Sequence, residues 1–143
     1  MTNMPNPNDD PYIGLQPRPN YYLTEWVGKG KIGNVYKAVR NNPFHVLACK
    51  VIETDKLKSG WERELEKVVK LHDVPSVVQY YAHGSDINKI NRPYVWVLWN
   101  FVDGINLKKY IQKKPWPLDI AFVENIAKTI LAVLHACRFE GIQ

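Results

Sequence analysis

Cysteine is scarce in this sequence: only Cys49 and Cys137 occur among 143 residues. They lie far apart, and neither belongs to a pair with metal-ligand spacing, which argues against a disulfide-stapled fold and a thiolate metal site. Both read as reduced core residues, one in a predicted strand and one in a predicted helix, and a cytoplasmic location is expected. No apolar run approaches the ~18–20 residues that cross a bilayer. Met1 to Asn8 has no apolar stretch to act as a signal peptide, so no membrane partner is expected. Arginine-rich stripes interleaved with aromatics are missing too, and no nucleic-acid partner is expected. His45, His72, His83 and His135 have no ligand-like spacing, so no metal site is expected in this chain.

The chain does carry enough apolar material for one domain with a true core. It is 45% hydrophobic, with five tryptophans, eight tyrosines and four phenylalanines. The net charge of +5 is compatible with several anionic partners and selects none of them. Residues 1–20 are rich in Asn, Pro and Asp and read as a flexible leader, because they have little to bury against the entropy of ordering. Tyr21–Val27, Asn34–Val39 and Phe44–Ile52 read as three strands of an antiparallel meander, with a turn at Asn41-Asn42-Pro43. Asp55–His72 reads as a helix, since Trp61, Leu65, Val68 and Leu71 recur at helical spacing. Val77–Ala82 and Tyr94–Phe101 read as further strands, joined by a polar loop over Gly84–Arg92. A short helix over Leu107–Gln112, stopped by Pro115 and Pro117, precedes an amphipathic helix over Leu118–Phe139. The pattern predicts an α+β fold.

The sharpest motif is Gly28-Lys-Gly-Lys-Ile-Gly33-Asn-Val35. Its glycines let backbone N–H groups approach phosphate oxygens that a Cβ would obstruct. A lone GxGxxG is a weak signal. Here Val35 follows two residues after the last glycine, and Lys50 ends the apolar run Val46-Leu47-Ala48-Cys49. A lysine at the end of a buried strand is costly unless its ammonium finds a partner. Together these residues resemble the glycine-rich loop and third-strand lysine of the protein kinase family. The resemblance extends over nearly everything from about Tyr21 to Gln143.

That resemblance implies a kinase-like small lobe, a five-stranded antiparallel sheet plus one helix, with the hinge, over 21–102. The first helices of the large lobe would follow over 103–143. Gly28, Gly30 and Gly33 would fold over the phosphates of ATP. Lys50 would contact the α- and β-phosphates and pair with a helix glutamate, for which Arg63-Glu64-Leu65 nominates Glu64. Val27, Val35 and Ala48 would roof the adenine. Trp99-Asn100-Phe101-Val102-Asp103-Gly104 resembles the hinge, with the Asn100 carbonyl and the Val102 amide as adenine partners. Four features depart from the family pattern. Ile32 stands where an aromatic usually caps the loop, and Asn100 replaces the usual acid. Trp99 occupies the gatekeeper position, where its bulk is expected to close the cavity behind the adenine. The fourteen residues from Lys50 to Glu64 are about one helical turn fewer than usual.

Leu134 to Gln143 resembles the helix that leads into a catalytic loop. The expected identity is the N-terminal part of a serine/threonine-type protein kinase, read as a piece of a longer chain. The whole protein would use ATP and Mg²⁺ to phosphorylate Ser or Thr of a protein substrate. These 143 residues lack the catalytic Asp, the metal-binding Asn and the Asp-Phe-Gly segment, so by themselves they are expected to be inactive. A pseudokinase-type binding module and a small-molecule kinase of similar fold are the alternative readings. The apolar face of Leu118–Phe139 is expected to support a homodimer.

Overall fold

The alternation along strand β3 (Phe44–Glu53) organises the fold. Leu47, Cys49 and Val51 point to one side and are buried, while Ala48 and Lys50 point to the other and are half-buried. In the computed structural model, which describes Asn6 and residues 8–114 and 116–142, β3 is the centre of a five-stranded sheet. The other strands are β1 (Tyr22–Lys29), β2 (Asn34–Asn41), β4 (Tyr80–Ile87) and β5 (Pro93–Asn100). Their order is β1-β2-β3-β5-β4 and every neighbouring pair is antiparallel. Helix α1 (Trp61–Val69) lies between β3 and β4 in the chain, and α2 (Leu107–Lys113) and α3 (Ile120–Phe139) follow β5. This is the predicted α+β architecture. Pro115 as a helix stop, Gln143 and the first residues of the expected leader lie outside the described residues.

The largest boundary differences from expectation have local reasons. Helix α1 is shorter than Asp55–His72, because Gly60 takes a left-handed φ of +82° immediately before Trp61. Strand β4 begins at Tyr80 rather than Val77. The Gln79 side chain satisfies the preceding loop instead, donating to the Val74 and Val77 carbonyls at 3.2 and 2.8 Å and accepting from the Asp73 N–H at 2.7 Å. Strand β4 then runs through the expected loop to Ile87, because Gly84 sits opposite Trp96 and leaves room for its indole.

The main core occupies the face opposite Lys50. It comprises Tyr21, Leu23, Tyr36, Ala38, Leu47, Cys49, Val51, Tyr94, Trp96 and Leu98, together with Tyr12. Tyr12 belongs to the stretch expected to be a flexible leader, and the described part of that stretch corrects the expectation. Tyr12 and Asp10 are both 4% exposed, and Ile13 and Leu15 pack against the core. The composition of 1–20 is polar on average, but these apolar residues are concentrated where the sheet offers a surface to cover.

Helix α3 departs from expectation in a different way. It is long and apolar enough, by length and composition alone, to cross a membrane, contrary to the reading that no run approaches that length. Phe122, Ile126, Val133, Ala136 and Cys137 are half-buried, whereas Ile130, Leu131 and Leu134 of the expected apolar face are 51–64% exposed. Phe122 stacks on Tyr110 of α2 with ring centroids 5.0 Å apart.

The core is rich in groups that must stay protonated. Burial pushes the Cys49 thiol up to about 12. It also raises the Tyr94 hydroxyl, and it raises Tyr36, with the neighbouring Asp10 adding to the effect. In the unfolded chain these groups ionise near 8.5 and 10. Their contribution to stability is therefore complete below about pH 8.5 and declines as pH rises through about 9 to 12, where the unfolded state sheds protons that the folded state keeps. Urea unfolding is expected to show a fall of at least about 1 kcal/mol between pH 8 and pH 10.5, with Cys49→Ala reducing the slope near pH 9.

Candidate functional site

Residues paired across an antiparallel sheet share a face, so the register assembles the site. Gly28 lies opposite Val35, Val35 opposite Lys50, and Lys50 opposite Val97. One step along, Lys37 lies opposite Ala48, Ala48 opposite Trp99, and Trp99 opposite Tyr80. Val35, Ala48, Lys50 and Trp99 are thereby brought to one surface. The glycine-rich segment forms the turn joining β1 to β2, closed by the Gly30 N–H donating to the Gly33 carbonyl at 2.7 Å.

The three glycines have different roles. A Cβ on Gly28 would meet nothing within 4 Å. A Cβ on Gly30 would lie 3.6 Å from Lys50 Cε and 3.9 Å from its Nζ, so the lysine side chain reaches beneath the loop. A Cβ on Gly33 would overlap the Val51 carbonyl oxygen and lie 2.9 Å from the Ile52 side chain. Gly33 therefore lets the loop settle onto β3 and is a packing residue first.

Glu64 is not brought to Lys50. Helix α1 turns Leu65 inward and leaves the Glu64 side chain 73% exposed, with Oε1 3.0 Å from Lys67 Nζ. Glu62, Leu65, Glu66, Val69, Tyr80 and His83 line a groove of about 520 Å³ between α1 and β4. Among the described residues no carboxylate lies within ion-pair distance of Lys50. The helix starts at Trp61 and buries Leu65. Spacing from the apolar stripe alone could not separate Glu64 from the solvated face.

At the hinge, Trp99 meets Tyr80 edge-on with ring centroids 5.9 Å apart and is half-buried. The Asn100 N–H donates to the Gln79 carbonyl at 2.9 Å. Val102 is exposed, and among the described residues its N–H donates to no protein acceptor. Val27, expected to roof the adenine, is 46% exposed. Sequence reasoning missed Lys37. Its Nζ pairs with Glu25 at 2.8 Å and lies 5.3 Å from the centroid of the Phe101 ring, tying β1 and β2 to the hinge. Its position two residues after Val35 in a strand placed it on the same face and was the available signal.

Residues 21–143 match the family model described as the protein kinase domain. The chain belongs to the protein kinase family. PknD, a serine/threonine-protein kinase of Mycobacterium tuberculosis, is 28% identical over 137 residues, covering 92% of this chain and 19% of the relative. Serine/threonine-protein kinase KIC1 of Saccharomyces cerevisiae is 25% identical over 122 residues, covering 83% of this chain and 11% of the relative. The solved kinase domain of PknI from Mycobacterium tuberculosis superposes with a TM-score of 0.67 at 18% identity, covering 90% of this chain and 51% of that one; it shows the shared fold. The chain spans between 6% and 21% of the length of the curated relatives it matches.

The different surroundings of the glycines predict different costs. Gly33→Ala is expected to destabilise the fold by about 1–3 kcal/mol through overpacking against β3. Gly28→Ala, with open space around it, is expected to cost less than about 1 kcal/mol. Chemical unfolding of the two variants beside the parent checks the contrast.

Proposed function

We propose that this chain supplies the nucleotide-binding half of a serine/threonine protein kinase, and that the nucleotide is ATP. One observation carries the reading. The half-buried Lys50 ammonium reaches beneath Gly30 and has no carboxylate partner among the described residues. A cation so placed favours an anion in the cleft. The glycine turn, whose Gly30 lies over the Lys50 side chain, fits a polyphosphate. Gly28, Gly30 and Gly33 would offer backbone N–H groups to the phosphates, with Lys50 as the counter-charge. Val27, Val35 and Ala48 would cover the base, and the Asn100 carbonyl and Val102 amide would meet its polar edge. ATP brings the transferable γ-phosphoryl group, and Mg²⁺ in the whole protein offsets its charge. The whole protein would pass that group to a Ser or Thr hydroxyl of a protein substrate. The two free cysteines support a reducing, cytoplasmic setting.

The outward position of Glu64 favours a second reading, a kinase-like binding module without turnover. In this form the chain lacks the Lys–Glu pair that positions phosphates for transfer.

Calorimetric titration of the 143-residue chain with ATP and Mg²⁺ tests the nucleotide reading. Weak binding is expected, lowered by about 1.5–3 kcal/mol in Lys50→Ala through loss of a charge-assisted contact. No radiolabel transfer to a protein acceptor is expected from these residues alone. Binding that is insensitive to Lys50→Ala would overturn the site assignment.

The exposed apolar side chains of α3 support a partner proposal: these 143 residues self-associate through that helix. Burial of each of Ile130, Leu131 and Leu134 in an interface would contribute about 1.5–3 kcal/mol before association costs. Sedimentation at micromolar concentration is expected to show a dimer that Ile130→Asp with Leu134→Asp returns to monomer. A parent chain that sediments as a monomer would refute it.

A further inference from the structure

The segment from Asp10 to Leu15 is fastened to three strands on the side of the sheet away from Lys50. Its backbone joins β1: the Gly14 N–H donates to the Leu23 carbonyl at 2.7 Å, and the Leu23 N–H donates to the Leu15 carbonyl at 2.9 Å. Its acid joins β2, where the Tyr36 hydroxyl donates to Asp10 Oδ2 at 2.9 Å. The other carboxylate oxygen, Oδ1, accepts the N–H groups of Tyr12 and Ile13 at 2.8 and 3.2 Å. Its aromatic joins β5, the Tyr12 ring meeting Tyr94 edge-on at 5.2 Å. The Lys89 N–H, in the loop between β4 and β5, donates to the Pro11 carbonyl at 3.3 Å.

Strands β1 and β2 carry the glycine turn, Val27 and Val35, and β5 carries Trp99 and leads into the hinge. In the nucleotide reading above, the separation of these parts would set the width of the nucleotide cleft. Tyr36, the residue Asp10 holds, directly follows Val35 and lies opposite Cys49, which directly precedes Lys50. A carboxylate buried with three donors cannot shift without leaving some of them unpaired, so this attachment is stiff. The segment thus ties roof and hinge together from behind, and β3 lies between its points of attachment.

We propose that Asp10 and Tyr12 are positioning residues for the cleft, bracing the glycine turn and roof against the hinge from the opposite face of the sheet. The inference rests on the nucleotide reading above for its consequence, and on the geometry alone for the brace. Amide hydrogen exchange of the 143-residue chain without ligand tests the brace. Asp10→Ala is expected to speed exchange at Trp26–Val35 about tenfold through local opening, while Leu47–Val51 stay protected. Asp10→Asn, which keeps Oδ1 for the two backbone N–H groups and offers an amide N–H to the Tyr36 hydroxyl oxygen, is expected to recover most of that protection. Should Asp10→Ala not fold, Tyr36→Phe removes the single hydroxyl contact and is expected to move exchange in the same direction by a smaller factor. Where the parent binds ATP, Asp10→Ala is expected to raise its Kd about 5- to 20-fold at a temperature where both chains are fully folded. Exchange that is unchanged, or that rises uniformly across the sheet, would refute the brace. An unchanged Kd despite faster local exchange would refute its link to the cleft. A parent chain that binds no ATP would refute the nucleotide reading only, and the exchange pattern would still decide on the brace.

Discussion

Everything at the candidate site depends on the pairing register of β2, β3 and β5. Strand side chains alternate, so a slip of one residue would exchange the two faces of β3. Leu47, Cys49 and Val51 would then leave the core and Lys50 would enter it. The first change gives up the burial of three apolar side chains, and the second places an ammonium among Tyr36, Trp96 and Leu98, where the nearby Asp10 carboxylate is already held by three donors. Both penalties act in one direction, and the register is therefore strongly specified. The position of Lys50 beneath the glycine turn follows from what its neighbours in the strand require.

The sheet separates two kinds of requirement. One face carries the tyrosine-rich core, where hydroxyls and a thiol stay neutral and the Tyr12 ring centroid lies 5.7 and 5.2 Å from those of Tyr36 and Tyr94. The other carries the glycine turn, Lys50 and the hinge, where backbone groups and a cation remain accessible. The segment 10–15 belongs to the first face, yet its attachments fall on the strands that shape the second. A core contact of this kind stabilises the fold and, through strand spacing, also bears on the cleft. Its acid is held by backbone N–H groups of its own turn, a local arrangement that any Asp at that place can make. Only Tyr36 makes it a long-range tie.

Helix α1 shows the limit of periodicity as a guide. The stripe of Trp61, Leu65 and Val68 correctly identified a helix and its inward side. It could not say whether a residue at the margin of the stripe turns toward the cleft or toward solvent. A helix advances 100° per residue, so a modest rotation about its own axis moves Glu64 from one to the other. Leu65 takes the buried position and Glu64 is left beside Lys67. Helix α3 poses the opposite case. Its apolar residues spread round more of the circumference than one interface within these residues can cover, so helical spacing alone did not reveal which of them would be buried.

By itself the sequence determined the α+β class, the strand order in the chain, the glycine turn with its lysine, and membership of the kinase family. These rest on local patterns: alternation with period two, recurrence near 3.6, and glycines where backbone must approach closely. Tertiary structure alone decided the order β1-β2-β3-β5-β4, the outward rotation of Glu64, the Lys37 link to Glu25 and Phe101, and the docking of Asp10–Leu15. Each of these joins residues distant in the chain, and their partners are set by the twist of the sheet and the space left on its faces. A polar segment such as 1–20 reads as unable to fold when judged by its own composition. Its residues 10–15 pack because the surface they cover, Tyr36 and Tyr94, is made by strands encoded far downstream.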